Sequence, residues 1–266
     1  MNSSRRFTYT IALTGLCLLT AAQVSAAEGY FVAPRVFNDN AGSTLSITPP
    51  SPIATDPATI TIRDEFTGAF TGANRHDALF SMDGGVSAYQ HSIDESFVFT
   101  TMLNLTAGQN SPRKEAGIRI NSGVSGDALF IVNSDAGEIV TFGGGAPFHL
   151  FGNNGGGNGY TPGTSILLGV RHIAGGDGNG GIPNTIEFFI DRGSGIETSG
   201  PRVWDNLENG PVDFTVGVYA QGGASGEGDF INAVFTDTTY TIVPEPGVLG
   251  FAGLGLALLG LIRRRA

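Results

Sequence analysis

The chain holds a single cysteine, Cys17, and it lies in the apolar stretch near the N-terminus. No cysteine remains once such a stretch is removed, so the body has no disulfides even in an oxidising compartment. Basic residues are scarce too. Between residues 27 and 243, nine Lys and Arg stand against 23 Asp and Glu, a net charge of −14. Such a surface repels nucleic acid and anionic lipid and attracts divalent cations, so nucleic-acid binding is excluded. Helical periodicity is nearly absent. The four histidines, His76, His91, His149 and His172, are scattered with no H-E-x-x-H, which leaves a catalytic zinc site without support. Tryptophan occurs once, at Trp204, and long hydrophobic runs occur only at the two ends.

Both ends read as addresses. Arg5 and Arg6 precede an apolar segment at 11–22, and Val24-Ser25-Ala26 supplies the small residues of a signal-peptide cleavage site. Cleavage is expected after Ala26, with Ala27 as the next choice. Thr8 stands where a twin-arginine signal has a large apolar residue, which favours the ordinary secretory route. Leu16 is too bulky before Cys17 for a lipobox, so Cys17 leaves with the leader. At the other end, the apolar run 248–262 makes a helix of about 22 Å at ~1.5 Å per residue, a short membrane span. Arg263, Arg264 and Arg265 follow it and anchor that end in the cytoplasm, which places everything before residue 248 outside.

Pro244-Glu245-Pro246, the single span and the terminal arginine cluster together resemble the PEP-CTERM sorting signal of Gram-negative bacteria. The resemblance covers residues 244–266. It implies transient recognition by an exosortase, a membrane cysteine transpeptidase, and cleavage near the motif. An inner-membrane-tethered precursor would then yield a mature body at the cell surface or in an exopolysaccharide matrix.

The body between leader and tail is about 217 residues, with almost all of the 18 phenylalanines. Alternation of period two dominates it. Phe97, Phe99, Leu103 and Leu105 share one face, with Val98, Thr100 and Asn104 opposite. Similar runs occur at 118–121, 128–132, 138–142, 165–171, 186–190, 214–220, 231–235 and 240–243, separated by Gly- and Pro-rich turns. About ten short strands predict an all-β fold, a two-sheet antiparallel β-sandwich. The expected organisation is a leader at 1–26, a lead-in segment at 27–63 able to add an edge strand, and the sandwich at 64–243. The strand order is similar to the concanavalin A-like jelly roll over about residues 64–242, carried by Glu115-Ala116-Gly117-Ile118-Arg119-Ile120, the 185–192 run (TIEFFIDR) with Asp191, and Phe235-Thr236-Asp237.

Enzymatic chemistry finds little purchase in the sequence. Laminarinase-like relatives of that fold carry Glu-x-Asp-x-Glu on one strand, whereas Glu187-x-Phe189-x-Asp191 has an apolar ring in the middle and a shorter acid at the end. Asp64-Glu65 and Asp94-Glu95 point to opposite faces of a strand. Ser125 and Ser194 lie among glycines but fit no G-x-S-x-G elbow. Calcium is the better-supported ion: Asp177 and Asn179 alternate in a Gly-rich loop that can add carbonyl ligands, and Asp83 or Asp229 would join them only through the fold. For sugars, an aromatic beside amides and carboxylates is the pattern sought. Trp204 with Asp205 and Asn206, Tyr160 after Asn153-Asn154, and Tyr219 with Gln221 are the candidates. The expectation is therefore a non-enzymatic surface or matrix protein. A lectin-like module that holds exopolysaccharide is the alternative, and a divergent glycan hydrolase the third reading.

Overall fold

The computed structural model describes residues 27–122, 126–152, 159–175, 183–204 and 213–243. The leader with Ala26, the motif Pro244, Glu245 and Pro246, the span 248–262 and its arginines lie outside these residues, as do Asp177, Asn179 and Asn206. Every regular element among the described residues is a β-strand. In chain order these begin β1 (Gly29–Asn38), β2 (Thr44–Thr48), β3 (Ala58–Thr67), β4 (Phe70–Ser81) and β5 (Phe97–Ala107). They continue with β6 (Lys114–Asn121), β7 (Asp127–Asn133), β8 (Ile139–Phe142), β9 (His149–Phe151) and β10 (Ser165–Ile173). The last are β11 (Thr185–Asp191), β12 (Ile196–Thr198), β13 (Arg202–Val203), β14 (Thr215–Ala224) and β15 (Glu227–Ile242).

These strands form two antiparallel sheets. One runs β1-β4-β14-β6-β7-β8-β9, the other β12-β11-β10-β5-β15-β3-β2, with β13 beside β11. Alternation explains how they pack. On β5, Phe97, Phe99, Leu103 and Leu105 are fully buried between the sheets while Val98, Thr100 and Asn104 face away. From the other sheet, Ala116, Ile118 and Ile120 of β6 and Val216, Val218 and Ala220 of β14 meet them. Each large apolar side chain so placed contributes about 1.5–3 kcal/mol.

Two expectations are corrected here. The runs at 231–235 and 240–243 are one strand, because β15 continues through a register shift between Thr236 and Thr239. Asp237 takes up that shift with φ 51°. The segment 27–63 is part of the sandwich rather than a lead-in. Tyr30, Ile53, Ile60 and Ile62 are core residues, β1 pairs with β4, and β3 lies between β15 and β2. A boundary at residue 64 would cut β3 in two.

Several polar groups also point inward. Asp64 of β3 accepts hydrogen bonds from Asn74 Nδ2 at 2.8 Å and His76 Nε2 at 3.0 Å. The backbone N–H of Arg35 donates to His76 Nδ1, which requires the proton on Nε2. Burial works to raise the Asp64 pKa, but the donors His76, Ser43 and Asn74 outweigh it and hold it low.

At one end of the core, Phe97 has its ring 5.5–5.6 Å from those of His91, His172, Phe214 and Tyr240. The Tyr240 hydroxyl and His91 Nδ1 share a hydrogen bond at 2.9 Å, with Glu95 Oε2 3.5 Å from the same nitrogen, and His172 Nδ1–H donates to the Glu95 carbonyl at 2.8 Å. Neither ring's Nε2 has a partner among the described residues. Burial depresses both imidazole pKa values, with Glu95 opposing it at each. The folded state therefore resists protons that the unfolded chain binds from about pH 6.5 downward. The stability these neutral rings contribute is complete above that pH and is lost as the pH falls through their folded-state pKa. Unfolding free energy should drop between pH 7 and pH 5 by up to about 1.4 kcal/mol per pH unit for each ring, and melting temperature should fall with it. Because burial raises the pKa of Glu115, which pushes the other way, the slope is assigned by His91→Phe. An unchanged slope in that variant would refute the assignment.

Candidate functional site

The face of the seven-stranded sheet that points away from the core is built from the alternate residues of β4, β6, β7 and β14. Register brings them side by side. Tyr219 lies opposite Asp77 on one neighbour and Gly117 on the other, and Gln221 lies opposite Arg75 and Glu115. Gly117 is required there, since a Cβ would overlap the Phe130 carbonyl oxygen.

Four charged groups close a ring on this face. Arg75 Nε donates to Asp77 Oδ1 at 3.0 Å and its Nη1 to Asp127 Oδ2 at 2.6 Å. Arg119 Nη1 donates to Asp77 Oδ2 at 2.8 Å and its Nε to Asp127 Oδ1 at 2.7 Å. Arg75 and Asp77 are fully buried, and the Arg75 guanidinium also lies 5.0 Å from the centre of the Tyr219 ring. Burial opposes the Arg75 charge, but Asp77 and Asp127 outweigh it. Burial likewise works to raise Asp127, yet Arg75 and Arg119 bring it below the usual carboxylate range. Burial raises Asp77 against the pull of the same two guanidiniums. With both within 3.0 Å we take it as ionised, so the ring is neutral as a whole.

Beside the ring a groove of about 440 Å³ opens, lined by Arg113, Glu115, Glu138, Val140, Phe142, Phe148 and Leu150. Arg113 reaches both acids, with Nε 3.0 Å from Glu115 Oε2 and Nη1 3.6 Å from Glu138 Oε2. The other Glu115 oxygen accepts the Tyr219 hydroxyl at 3.4 Å, and Asn133 Nδ2 donates to Glu138 at 2.8 Å. Burial pushes the Glu115 pKa up, with Arg113 working against it. Burial, joined by Glu115, pushes the Tyr219 phenol far above its ordinary value, so it stays protonated. On the rim, Phe148 is 66% exposed and Phe142 39%.

Most of the residues marked in the sequence lie elsewhere. Trp204 is buried, with its ring 5.4 Å from His172 and 5.3 Å from Phe214, so it offers no open platform. Tyr160 is buried as well. Its hydroxyl donates to the Thr164 carbonyl at 2.8 Å and accepts from the Leu105 N–H at 2.7 Å, which makes it a brace between a turn and β5. Asp83 accepts hydrogen bonds from Ser81, Ser87 and the Val86 N–H within its own turn, and Asp229 pairs with the buried Lys114 ammonium. Among the described residues no three His, Cys, Asp or Glu side chains gather as a metal cage. Glu187 lies on the eight-stranded sheet, bonded to Arg171 and Thr198, while Asp191 caps the turn N–H groups of Gly193 and Gly195.

Of the sugar-binding candidates among the described residues, Tyr219 with Gln221 falls on the groove side, but Tyr219 is fully buried against Val140 and does not line the groove. Arg113, Glu115 and Glu138 went unmarked. The readable signal was the polar alternation Glu115, Gly117, Arg119, Asn121 opposite the apolar Ala116, Ile118 and Ile120, a strand face that is charged yet covered.

No protein-family model matches the chain, and no curated protein matches it in sequence. Solved structures do. An alginate lyase from Corynebacterium sp. is similar at a TM-score of 0.50 and 13% identity, over 81% of this chain and 94% of that one. The likeness is one of fold. An alginate lyase of polysaccharide lyase family 7 matches at a TM-score of 0.45 and 11% identity over 82% and 95% of the two chains. A Lotus tetragonolobus seed lectin follows at 0.41 and 12% over 81% and 99%. The architecture is thus an all-β jelly-roll sandwich of two antiparallel sheets. It also corrects the expectation of a non-enzymatic body, because alginate lyases use this same sandwich. Lacking a Glu-x-Asp-x-Glu strand therefore does not exclude glycan cleavage.

Proposed function

We propose that the chain is an exported protein whose sandwich engages a polysaccharide in the groove on the outer face of the seven-stranded sheet. Delivery would follow the PEP-CTERM route: a secretory leader, a transient tether by residues 248–262, and exosortase processing near Pro244, Glu245 and Pro246. The mature body would then work at the cell surface or in the exopolysaccharide matrix. One observation carries the binding reading. Phe142 and Phe148 hold apolar surface open to solvent directly beside Arg113, Glu115 and Glu138, the pairing of flat apolar area and hydrogen-bonding groups that a sugar ring needs. The glycan-cleaving name of the Corynebacterium neighbour supports the same class of ligand.

The test is affinity electrophoresis of the full chain in detergent through gels containing laminarin, xyloglucan or glucomannan. Retardation by at least one polymer is expected, with affinity falling at least ~10-fold, or 1.4 kcal/mol, in Phe148→Ala. Phe148 is exposed, so its loss should leave the fold intact. Equal retardation of the variant and the parent, or none by any polymer, would refute the groove as a glycan site. Trp204→Ala should instead lower melting temperature, since that ring packs in the core.

A further inference from the structure

We infer that the groove is hydrolytic: Glu115 and Glu138 form an acid and base pair that cleaves a glycosidic bond in an uncharged polysaccharide. This rests on the glycan-binding reading above and adds to it a reaction and a substrate class.

Glu115 stands on β6, and Glu138 directly precedes β8. Strand β7 lies between them and sets their spacing, because Asn133 pairs with Glu115 across the sheet and hydrogen-bonds Glu138 with its side chain. One guanidinium, Arg113, touches both acids at 3.0 and 3.6 Å. The two oxygens that contact it are then at most about 9 Å apart, under the ~9.5 Å upper limit at which paired carboxyl groups cleave glycosides. The two environments differ in the sense such a pair needs. The Glu115 side chain is 11% exposed and rests on the buried Tyr219 hydroxyl, whereas that of Glu138 is 42% exposed. Burial favours a proton on Glu115, while Glu138 faces the solvent from which water must come.

The charges around the groove select the substrate. Arg75 and Arg119 are spent on Asp77 and Asp127, which leaves Arg113 as the guanidinium of the groove, facing two acids. With Glu115 protonated, Arg113 and Glu138 leave the groove without net charge to hold a uronate, and the body around it carries −14, so the favoured chain is neutral. In the step, Glu115 gives its proton to the glycosidic oxygen as the bond from the anomeric carbon to that oxygen breaks and its electron pair stays on the oxygen. A water molecule supplies the new oxygen on the anomeric carbon, and Glu138 takes the proton that water releases. Polysaccharide and water become two shorter chains, and no other reactant is consumed.

The test incubates the full chain in detergent with laminarin, xyloglucan, glucomannan and dextran, and in parallel with alginate and polygalacturonate, while new reducing ends are counted. Shortening of a neutral polymer is expected. Glu115→Gln and Glu138→Gln should each lower kcat by about 10²–10⁴-fold with retardation in the same gels retained. Glu138 is half exposed, so the second variant keeps the test valid if the first is poorly folded. Binding without new reducing ends, or unchanged turnover in Glu138→Gln, overturns the inference and leaves the binding reading standing. Cleavage of alginate with formation of an unsaturated uronate would overturn it as well. Failure to bind any polymer removes both.

Discussion

Replacing Asp229 with alanine is expected to destabilise the sandwich by about 3–5 kcal/mol, the range for breaking a buried ion pair from one side. Lys114 alternates with Ala116, Ile118 and Ile120 and so enters the core from β6, where it is fully buried. Its ammonium has two partners there, Asp229 Oδ2 at 2.7 Å and the Pro112 carbonyl at 3.1 Å. Asp229 also accepts the Gln109 N–H at 2.8 Å and the Ser225 N–H at 3.0 Å, tying two turns to the strand that follows. Burial works to raise the Asp229 pKa, but Lys114 and these donors bring it down, so Asp229 is ionised at neutral pH. The alanine leaves a cation in the core and removes the carboxylate acceptor of three N–H groups, those of Gln109, Ser225 and Phe230. The stem of Lys114 adds packing of its own, since a Cβ on Gly222 would come within 2.7 Å of Lys114 Cγ. Urea unfolding reads the loss. The double variant Lys114→Met, Asp229→Leu should recover much of it, because apolar groups of similar volume replace buried ion pairs at little cost. A loss below ~1 kcal/mol in Asp229→Ala would mean that the ammonium reaches water.

Asp77→Ala should cost about as much, ~3–5 kcal/mol, for a related reason. Asp77 is fully buried and receives Arg75 and Arg119 at once, so its removal sets two guanidiniums side by side with Asp127 as their remaining acid in the ring. Arg75 has little freedom to escape. Its side chain is 2% exposed, and it lies between the Phe37 and Tyr219 rings at 5.5 and 5.0 Å. Asp77→Asn keeps the shape but not the charge and should fall between the alanine variant and the parent. High salt separates this ring from surface pairs such as Arg63–Glu65, whose side chains are 39% and 49% exposed. Salt screens exposed charges and scarcely reaches buried ones, so the Asp77→Ala loss should persist at 1 M NaCl. Disappearance of the loss at that salt would show that the ring is solvated. Glycan retardation should weaken together with stability, because Asp77 pairs with Tyr219 across the sheet and Tyr219 supports Glu115.

The strands were legible residue by residue. A period of two places Phe97, Phe99, Leu103 and Leu105 on one face whatever lies opposite, because successive side chains of an extended chain must alternate. The turn role of Asp191 and the opposite faces of Asp64 and Glu65 follow from the same geometry. Alternation separates two faces, however, without saying what each will meet. Trp204 and Tyr160 looked like exposed sugar platforms because polar residues flank them in sequence, yet their neighbours in space are Phe214, His172 and β5. Lys114, Asp229, Asp64 and His76 face inward against the hydrophobic rule, since each finds its partner across the core rather than along the chain. The groove is the extreme case: β14, near the end of the body, inserts between β4 and β6, and so seats Tyr219 beneath Glu115 although 104 positions separate them. Local pattern thus specified the elements and their two faces, while strand order, an outcome of non-local pairing, chose which charges meet partners in the interior and which side chains border the groove.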